Sequence, residues 1–389
     1  IRKYKMAEIK PFKLKIKDNE IEDLYTRLSN TRLPDQAPGE PWKTGTDLKW
    51  FKKLLEYWKN DFDWKTSESK LNSFPQFKTE ISDIDVHFLH CEGKGKKNIP
   101  LLLMHGWPGS VFEFLDIIPM LTDPKRFGIQ SNIAFNVIAP SLPGFGLSFK
   151  AFQKRFGVEE MGDCLKDLMV KVLGYDEFCI QGGDWGSMIG ARISYKYPDN
   201  ILGLHLNMLP LIRNYGPEHI MLPEEQDYID QIKKWKPEGM AYQAIQGSRP
   251  QTLAYALSDS PSGLAAWICE KFYEWTDCNG NPENSLSFDK MLANICLYWF
   301  SGAIGSSFWP YYARNKRPWF VPTGETVKVP VGYCEFPKEM LRPKKILAEK
   351  TYIDIKRWSE MEQGGHFAAF ENSEVLAKEM FIFFNELKL

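Results

Sequence analysis

Apolar side chains recur along this chain at two different spacings. In residues 1–80 the spacing is helical. Ile21, Leu24, Tyr25 and Leu28 recur at i, i+3, i+4 and i+7, and so do Phe51, Leu54, Leu55 and Trp58. Between them, 34–45 is a loop punctuated by Pro and Gly. The whole segment reads as helical and irregular, a cover for something else. At about residue 80 the pattern changes. Ile84, Val86 and Phe88 alternate, as a half-buried strand would. Short apolar runs then alternate with helical periods. Strands are predicted at 101–104, 136–139, 178–181 and 202–207. A loop at 105–110 leads into a helix ending near Leu121, a turn at 140–146 follows the second strand, and a helix to Tyr197 follows the third. Strands alternating with helices predict a mostly parallel, doubly wound α/β sheet flanked by helices.

The alternation fails from about Pro210 to Pro322. That stretch is helix-like, rich in Trp and Tyr, and broken by Pro and Gly. Strand character returns at 327–334, then come a helix, a strand near 351–358 and a C-terminal helix from Ser373. The simplest organisation is an N-terminal helical meander (1–80), a core in two parts (81–209 and 326–389), and a helical cap inserted between them (210–325). Such an insertion would lie over the carboxyl ends of the strands, where ligands bind in open α/β sheets. Within it, 291–313 is uncharged and long enough to span a bilayer. It contains Asn294, Ser301, Gly302, Gly305, Ser306, Ser307 and Pro310, and so reads as a buried, pocket-lining helix pair.

Composition narrows this picture in three ways. Of 389 residues 43% are hydrophobic and 25% charged, which excludes global disorder and collagen-like or coiled-coil repeats. Aromatic content is 14%, with 13 Trp, 16 Tyr and 26 Phe. On composition alone a large aromatic core accounts for these rings; an aromatic-lined pocket is the sharper alternative. Net charge is −1, and the nearest thing to a basic run is Lys3, Lys5, Lys10, Lys13, Lys15 and Lys17. These lysines read as a solvated face, so nucleic acid is not an expected partner. Seven cysteines with no C-x-x-C pair read as free, buried thiols in a reducing compartment, and no zinc-ligand spacing is present. Residues 1–17 carry neither a signal-peptide core nor a membrane span, so a cytoplasmic chain without a membrane anchor is expected.

The sharpest chemical motif is Gln181-Gly182-Gly183-Asp184-Trp185-Gly186, which follows a strand and opens a helix. Its spacing is that of a nucleophile elbow with Asp in place of Ser. Small residues two before and two after allow a tight, strained turn to expose the nucleophile. The competing reading is Asp184 as an ordinary helix N-cap. His105-Gly106-Trp107-Pro108-Gly109 follows an earlier strand and resembles the H-G-x-P loop of α/β-hydrolases. That loop supplies one oxyanion-hole N–H, here that of Trp107, with the Trp185 N–H as the second. Gly364-Gly365-His366-Phe367 precedes the last helix. Of six histidines only His366 has the loop context of a catalytic base; His105, His87, His90, His205 and His219 do not. The acid partner belongs on the loop after the 327–334 strand, where Glu335 and Glu339 both stand; Asp354 is further away.

Together these motifs resemble the epoxide hydrolases of the α/β-hydrolase fold, in their microsomal-type branch, with soluble fungal and juvenile-hormone members. The resemblance covers nearly the whole chain. It includes Phe62-Asp63-Trp64, the run from Leu71 through Pro75 to Phe77, Ser260-Pro261-Ser262-Gly263-Leu264, and Gly364-Gly365-His366-Phe367-Ala368-Ala369. It implies an acid about 27 residues before the base, which selects Glu339 for His366. It also implies two cap tyrosines that donate to the epoxide oxygen. Tyr242 matches the first and Tyr311 the second, with Tyr312 as the neighbouring alternative. The membrane-bound members carry an N-terminal anchor; this chain looks more like the soluble fungal ones. The insertion around 213–224 is short.

The chemistry of the residues fits that resemblance. A carboxylate is already ionised at pH 7 and needs no base to activate it. It suits attack on a strained sp3 carbon, whereas attack on an acyl carbon would give an anhydride. The implied reaction opens a lipophilic epoxide at Asp184, with Tyr242 and Tyr311 as acid. His366 and Glu339 then activate water against the ester, and a vicinal diol leaves. No metal or organic cofactor is implied, the partner is a small lipophilic epoxide, and the chain is compatible with a homodimer. A haloalkane dehalogenase shares the Asp nucleophile but needs halide donors, so the tyrosine pair discriminates against it. A binding protein on a dead hydrolase scaffold is the non-enzymatic alternative.

Overall fold

The computed structural model describes residues 8–213 and 219–389. Lys3, Lys5 and Met6, and the middle of the short 213–224 segment, lie outside the described residues. Among those described, nine strands form one sheet in the order β1-β2-β3-β5-β4-β6-β7-β8-β9. They are β1 (Lys10–Phe12), β2 (Gln76–Ile81), β3 (Ile84–Cys91), β4 (Lys97–Met104), β5 (Ile133–Pro140), β6 (Phe178–Gly182), β7 (Ile201–Leu206), β8 (Val331–Glu335) and β9 (Ile355–Glu360). The first three and the β3–β5 pair are antiparallel; from β5 onward every pairing is parallel. The central strands are buried on both faces, so Leu101 to Met104 and Phe178 to Ile180 are continuous apolar runs.

The N-terminal segment departs from its sequence reading. It holds the helices α1 (Asp18–Ser29), α2 (Leu48–Asn60) and α3 (Trp64–Asn72), but also β1 and β2. The strand β2 escapes a hydrophobic pattern because two of its buried positions, Gln76 and Thr79, are polar. Gln76 Oε1 is 3.0 Å from the His87 Nε2 on β3, so the pairing is held by a polar contact where an apolar one would be expected. The predicted 327–334 strand also shrinks. Val327 forms only an isolated bridge with Tyr352, and Pro330, which has no N–H to give, separates it from β8. The predicted helix ending near Leu121 is split into a one-turn segment, Val111–Phe114, and α4 (Ile117–Thr122).

After α5 (Val158–Asp167) and α6 (Asp184–Lys196), a helical insertion separates β7 from β8. It comprises α7 (Pro223–Gly239), α8 (Ala241–Ser248), α9 (Pro250–Asp259), α10 (Pro261–Trp275), α11 (Phe288–Ser301), α12 (Ile304–Ser307) and α13 (Trp309–Lys316). The core ends with α14 (Lys345–Ala348), β9, α15 (Ala368–Glu371) and α16 (Ser373–Glu386). The N-terminal helices strap the insertion down. Thr46 Oγ1 donates to the Ala266 carbonyl at 2.7 Å, Lys53 pairs with Glu283 at 2.9 Å, and Trp42 stacks on Tyr273 with centroids 4.1 Å apart. All seven cysteines are free and buried, as expected. No described helix is long and apolar enough to cross a membrane.

Candidate active site

The loops at the carboxyl ends of β4, β6, β7, β8 and β9 converge on Asp184. The turn that carries it is strained. Asp184 has φ +45°, in the left-handed region that side chains other than Gly avoid. Two close approaches hold it there. A Cβ on Gly182 would lie 2.5 Å from the Gly186 carbonyl carbon, and one on Gly186 only 2.4 Å from the Met104 oxygen. The elbow therefore needs both glycines for space, with no call on their conformational freedom. Gly106 is equally constrained, since its Cβ would lie 2.1 Å from Asp184 Oδ1.

The Trp107 N–H donates to Asp184 Oδ1 at 2.7 Å. Trp185 follows in the first turn of α6, where an N–H has no intrahelical acceptor. The other oxygen, Oδ2, lies 3.5 Å from His366 Nε2. The opposite ring nitrogen, Nδ1, contacts Glu339 Oε2 at 2.8 Å and Oε1 at 3.0 Å. Both members of that pair are buried. Glu339 Oε1 also accepts from the Met340 N–H at 2.7 Å, which fixes the carboxylate. Burial disfavours the imidazolium, but Glu339 and Asp184 at the two nitrogens outweigh it, and His366 is held well above its ordinary pKa. Of the sequence alternatives, Glu335 ends β8 half-buried and Asp354 pairs with Lys356, so neither meets His366.

Facing Asp184 from the insertion are Tyr242 on α8 and Tyr311 on α13. Their rings cross nearly edge to face with centroids 5.7 Å apart. Tyr242 stacks on Trp107 at 5.3 Å, and Tyr311 meets the edge of Trp185 at 4.8 Å. The Tyr242 hydroxyl accepts from the Gln243 amide at 2.9 Å, which leaves its own proton to give. The Tyr311 hydroxyl is buried and makes no hydrogen bond of good geometry. Burial and the nearby Asp184 charge raise both phenols far above the ordinary tyrosine range, so both are neutral donors. Tyr312 instead packs on Trp309 at 5.0 Å. A cavity of about 280 Å³ opens from Asp184 between core and insertion. Met188, Leu209, Ile212, Ile232, Trp235 and Met240 give it an apolar wall.

Two sets of contacts were not foreseen from the sequence. Behind the elbow, Gln181 Nε2 donates to Asn207 Oδ1 at 2.8 Å, and Asn207 Nδ2 donates to the His366 carbonyl at 3.3 Å. The Trp275 carbonyl accepts the His366 N–H at 2.8 Å, and the Trp275 ring packs against the imidazole at 5.2 Å. An Asn at the carboxyl end of a central strand was the available signal for the first. Nothing in the spacing marks Trp275. His105 is structural, as read: its Nε2 accepts from the Leu142 N–H at 3.1 Å.

Residues 9–114 match the epoxide hydrolase N terminus family, and 99–266 match the alpha/beta hydrolase fold family. Epoxide hydrolase 1 of Oryctolagus cuniculus is 37% identical over 400 aligned positions, covering 96% of this chain and 88% of the relative. The crystal structure of juvenile hormone epoxide hydrolase from the silkworm Bombyx mori superposes with a TM-score of 0.85 at 30% identity, covering 98% of this chain and 95% of that one. The Aspergillus niger epoxide hydrolase does so at 0.81 and 28%, covering 98% and 97%. An elbow aspartate beneath two buried phenols is thus set in a chain that matches such enzymes from end to end, and the chain belongs to the epoxide hydrolase family of the α/β-hydrolase fold.

Proposed function

We propose that this chain hydrolyses a lipophilic epoxide to a vicinal diol in two steps, through an ester on Asp184. The observation that carries the reading is the sandwich around that carboxylate. One oxygen is held by the Trp107 amide, the other points toward His366, and two neutral phenols stand across an apolar cavity. In this reading the N-terminal meander (1–80) and the cap (210–325) enclose the substrate.

In the first step Asp184 Oδ2 attacks one oxirane carbon from behind, and the bond from that carbon to the ring oxygen breaks. The departing oxygen takes a proton from Tyr242 or Tyr311, with the second phenol donating a hydrogen bond. Placing nucleophile and acid on opposite walls suits this in-line geometry. In the second step a water gives a proton to His366 Nε2 and its oxygen bonds to Asp184 Cγ. The Trp107 and Trp185 N–H groups hold the oxyanion, the ester C–O bond breaks, and its oxygen takes the proton from His366 as the diol leaves; the second water proton, lost by the regenerated Asp184 carboxyl, restores the phenol. His366 is primed by the first step. Esterification removes the Asp184 charge, one of the two influences that hold the ring protonated, and moves the imidazole toward its basic form.

The test is one turnover of an aryl epoxide in heavy-oxygen water. The label is expected in the peptide containing Asp184, because the water oxygen is retained by the regenerated carboxylate. An unlabelled peptide with labelled diol would mean direct attack of water on the epoxide, and would overturn the reading.

A further inference from the structure

Glu113 is a buried carboxyl in the turn Val111–Phe114 that the two-step chemistry leaves without a task. Its side chain folds back over the preceding loop. A Cβ on Gly109 would sit only 1.5 Å from Glu113 Oε1, so Gly109 provides the space it occupies. The carboxyl forms one wall of a small cavity of about 20 Å³, separate from the large apolar one. Gly106, Gln181, Asp184, Asn207 and His366 form much of the rest. That volume accommodates a single water, and the walls offer it the several polar partners a buried water requires.

The groups around Glu113 set its charge. Burial drives its carboxyl up, His366 opposes this, Asp184 adds to it and the Ser110 amide opposes it; the result is pushed up to about 8. From α11, the Tyr298 hydroxyl donates to the Gly109 carbonyl at 2.8 Å and stays neutral. Glu339 lies behind His366. Glu371 on α15 accepts the Asp277 and Phe367 N–H groups, and burial raises it to about 7.

We propose that Glu113 is a positioning residue for ester hydrolysis: protonated, it holds with His366 the one water that attacks Asp184. This rests on the two-step reading above. The water donates one hydrogen to His366 Nε2 and is oriented by the Glu113 carboxyl, which keeps its own proton throughout. With Asp184 esterified, ionised Glu113 would add a second carboxylate to Glu339 beside His366. It would keep the ring an imidazolium and oppose the growing oxyanion, so the step would stop.

The experiment is stopped-flow tryptophan fluorescence with an aryl epoxide in single turnover from pH 6 to 10. A quench reports ester formation and its recovery reports hydrolysis. In the unaltered chain the recovery rate is expected to fall above about pH 8 by about tenfold per unit, while the quench rate holds. Glu113→Gln, a neutral isostere, should slow recovery about threefold at pH 7 and remove the alkaline limb. Glu113→Leu should slow recovery tenfold or more at pH 7 without slowing the quench. Glu371→Gln should keep the limb, which separates the two raised carboxyls. A limb that persists in Glu113→Gln, or a quench slowed as much as recovery in Glu113→Leu, would overturn the proposal. If Glu113→Leu does not fold, the Glu113→Gln profile still decides. If the unaltered chain forms no covalent adduct by mass spectrometry, it is the two-step reading that fails, and this inference falls with it.

Discussion

Replacing Glu339 by Gln separates the two chemical steps most sharply. Glu339 touches no substrate in the proposed mechanism; it acts only through His366 Nδ1, at 2.8 and 3.0 Å. The side chains of His366 and Glu339 are 3% and 0% exposed, so solvent screens the pair little. In the hydrolytic transition state the imidazole becomes a cation. With charge centres about 4 Å apart and an effective dielectric constant of about 20, the carboxylate stabilises that cation by about 4 kcal/mol. At about 1.4 kcal/mol per decade this corresponds to about a thousandfold in rate. A second effect acts in the same direction. The Gln oxygen can keep the Met340 N–H, which leaves the amide NH2 facing Nδ1. That favours the tautomer with its proton on Nε2, where the base should be. Glu339→Gln is therefore expected to slow hydrolysis about 10²–10³-fold, with ester formation changed less than about threefold. Rapid mixing with excess epoxide should show a full fluorescence burst followed by almost no turnover, with the ester visible by mass spectrometry. Hydrolysis within about threefold of the unaltered rate, or an equal loss in both steps, would refute the argument.

The phenols should show the converse. Tyr242→Phe and Tyr311→Phe are each expected to slow the quench about 10–100-fold, and the double replacement more than about 10³-fold, with recovery little changed; a single replacement as severe as the double would mean that one phenol does all the work. A stability prediction concerns His87, where burial, then the Lys78 charge, lower the imidazole pKa to about 3. Its folded pKa is below its unfolded value, so its contribution is complete above about pH 6.5 and is lost as pH falls toward 3. His105 and His205, lowered to about 4 and about 3, act in the same sense. The melting temperature should drop across that window, and His87→Gln should make the decline shallower; an unchanged slope would show that His87 is not neutral in the fold.

The residues that could be read from the sequence are those whose backbone is constrained as well as their chemistry. Asp184 is framed by glycines that the packing requires, and His366 follows Gly364, with φ +111°, and Gly365, whose Cβ would lie 2.4 Å from the Trp275 oxygen. Such constraints print small residues at fixed offsets, and the motif is legible. Parallel central strands print continuous apolar runs, and the sheet from β4 onward is legible for the same reason. The aromatic excess divides between two readings. Composition alone favours a core; Trp107, Trp185, Tyr242, Trp275 and Tyr311 instead gather around the carboxylate. What stays hidden is held by tertiary contact alone. The strand β2 is anchored by the Gln76 contact with His87, which no local pattern encodes. Glu113 lies in a local run of Phe and Leu where a lone Glu looks like a solvent-facing position, and only the fold turns it inward onto Gly109. A charged residue buried without an ion pair is costly unless it gives up its charge. The fold retains that cost in the small cavity that Asp184 and His366 also line, where a neutral carboxyl can orient a water, and this juxtaposition is the physical ground for assigning Glu113 a part in hydrolysis.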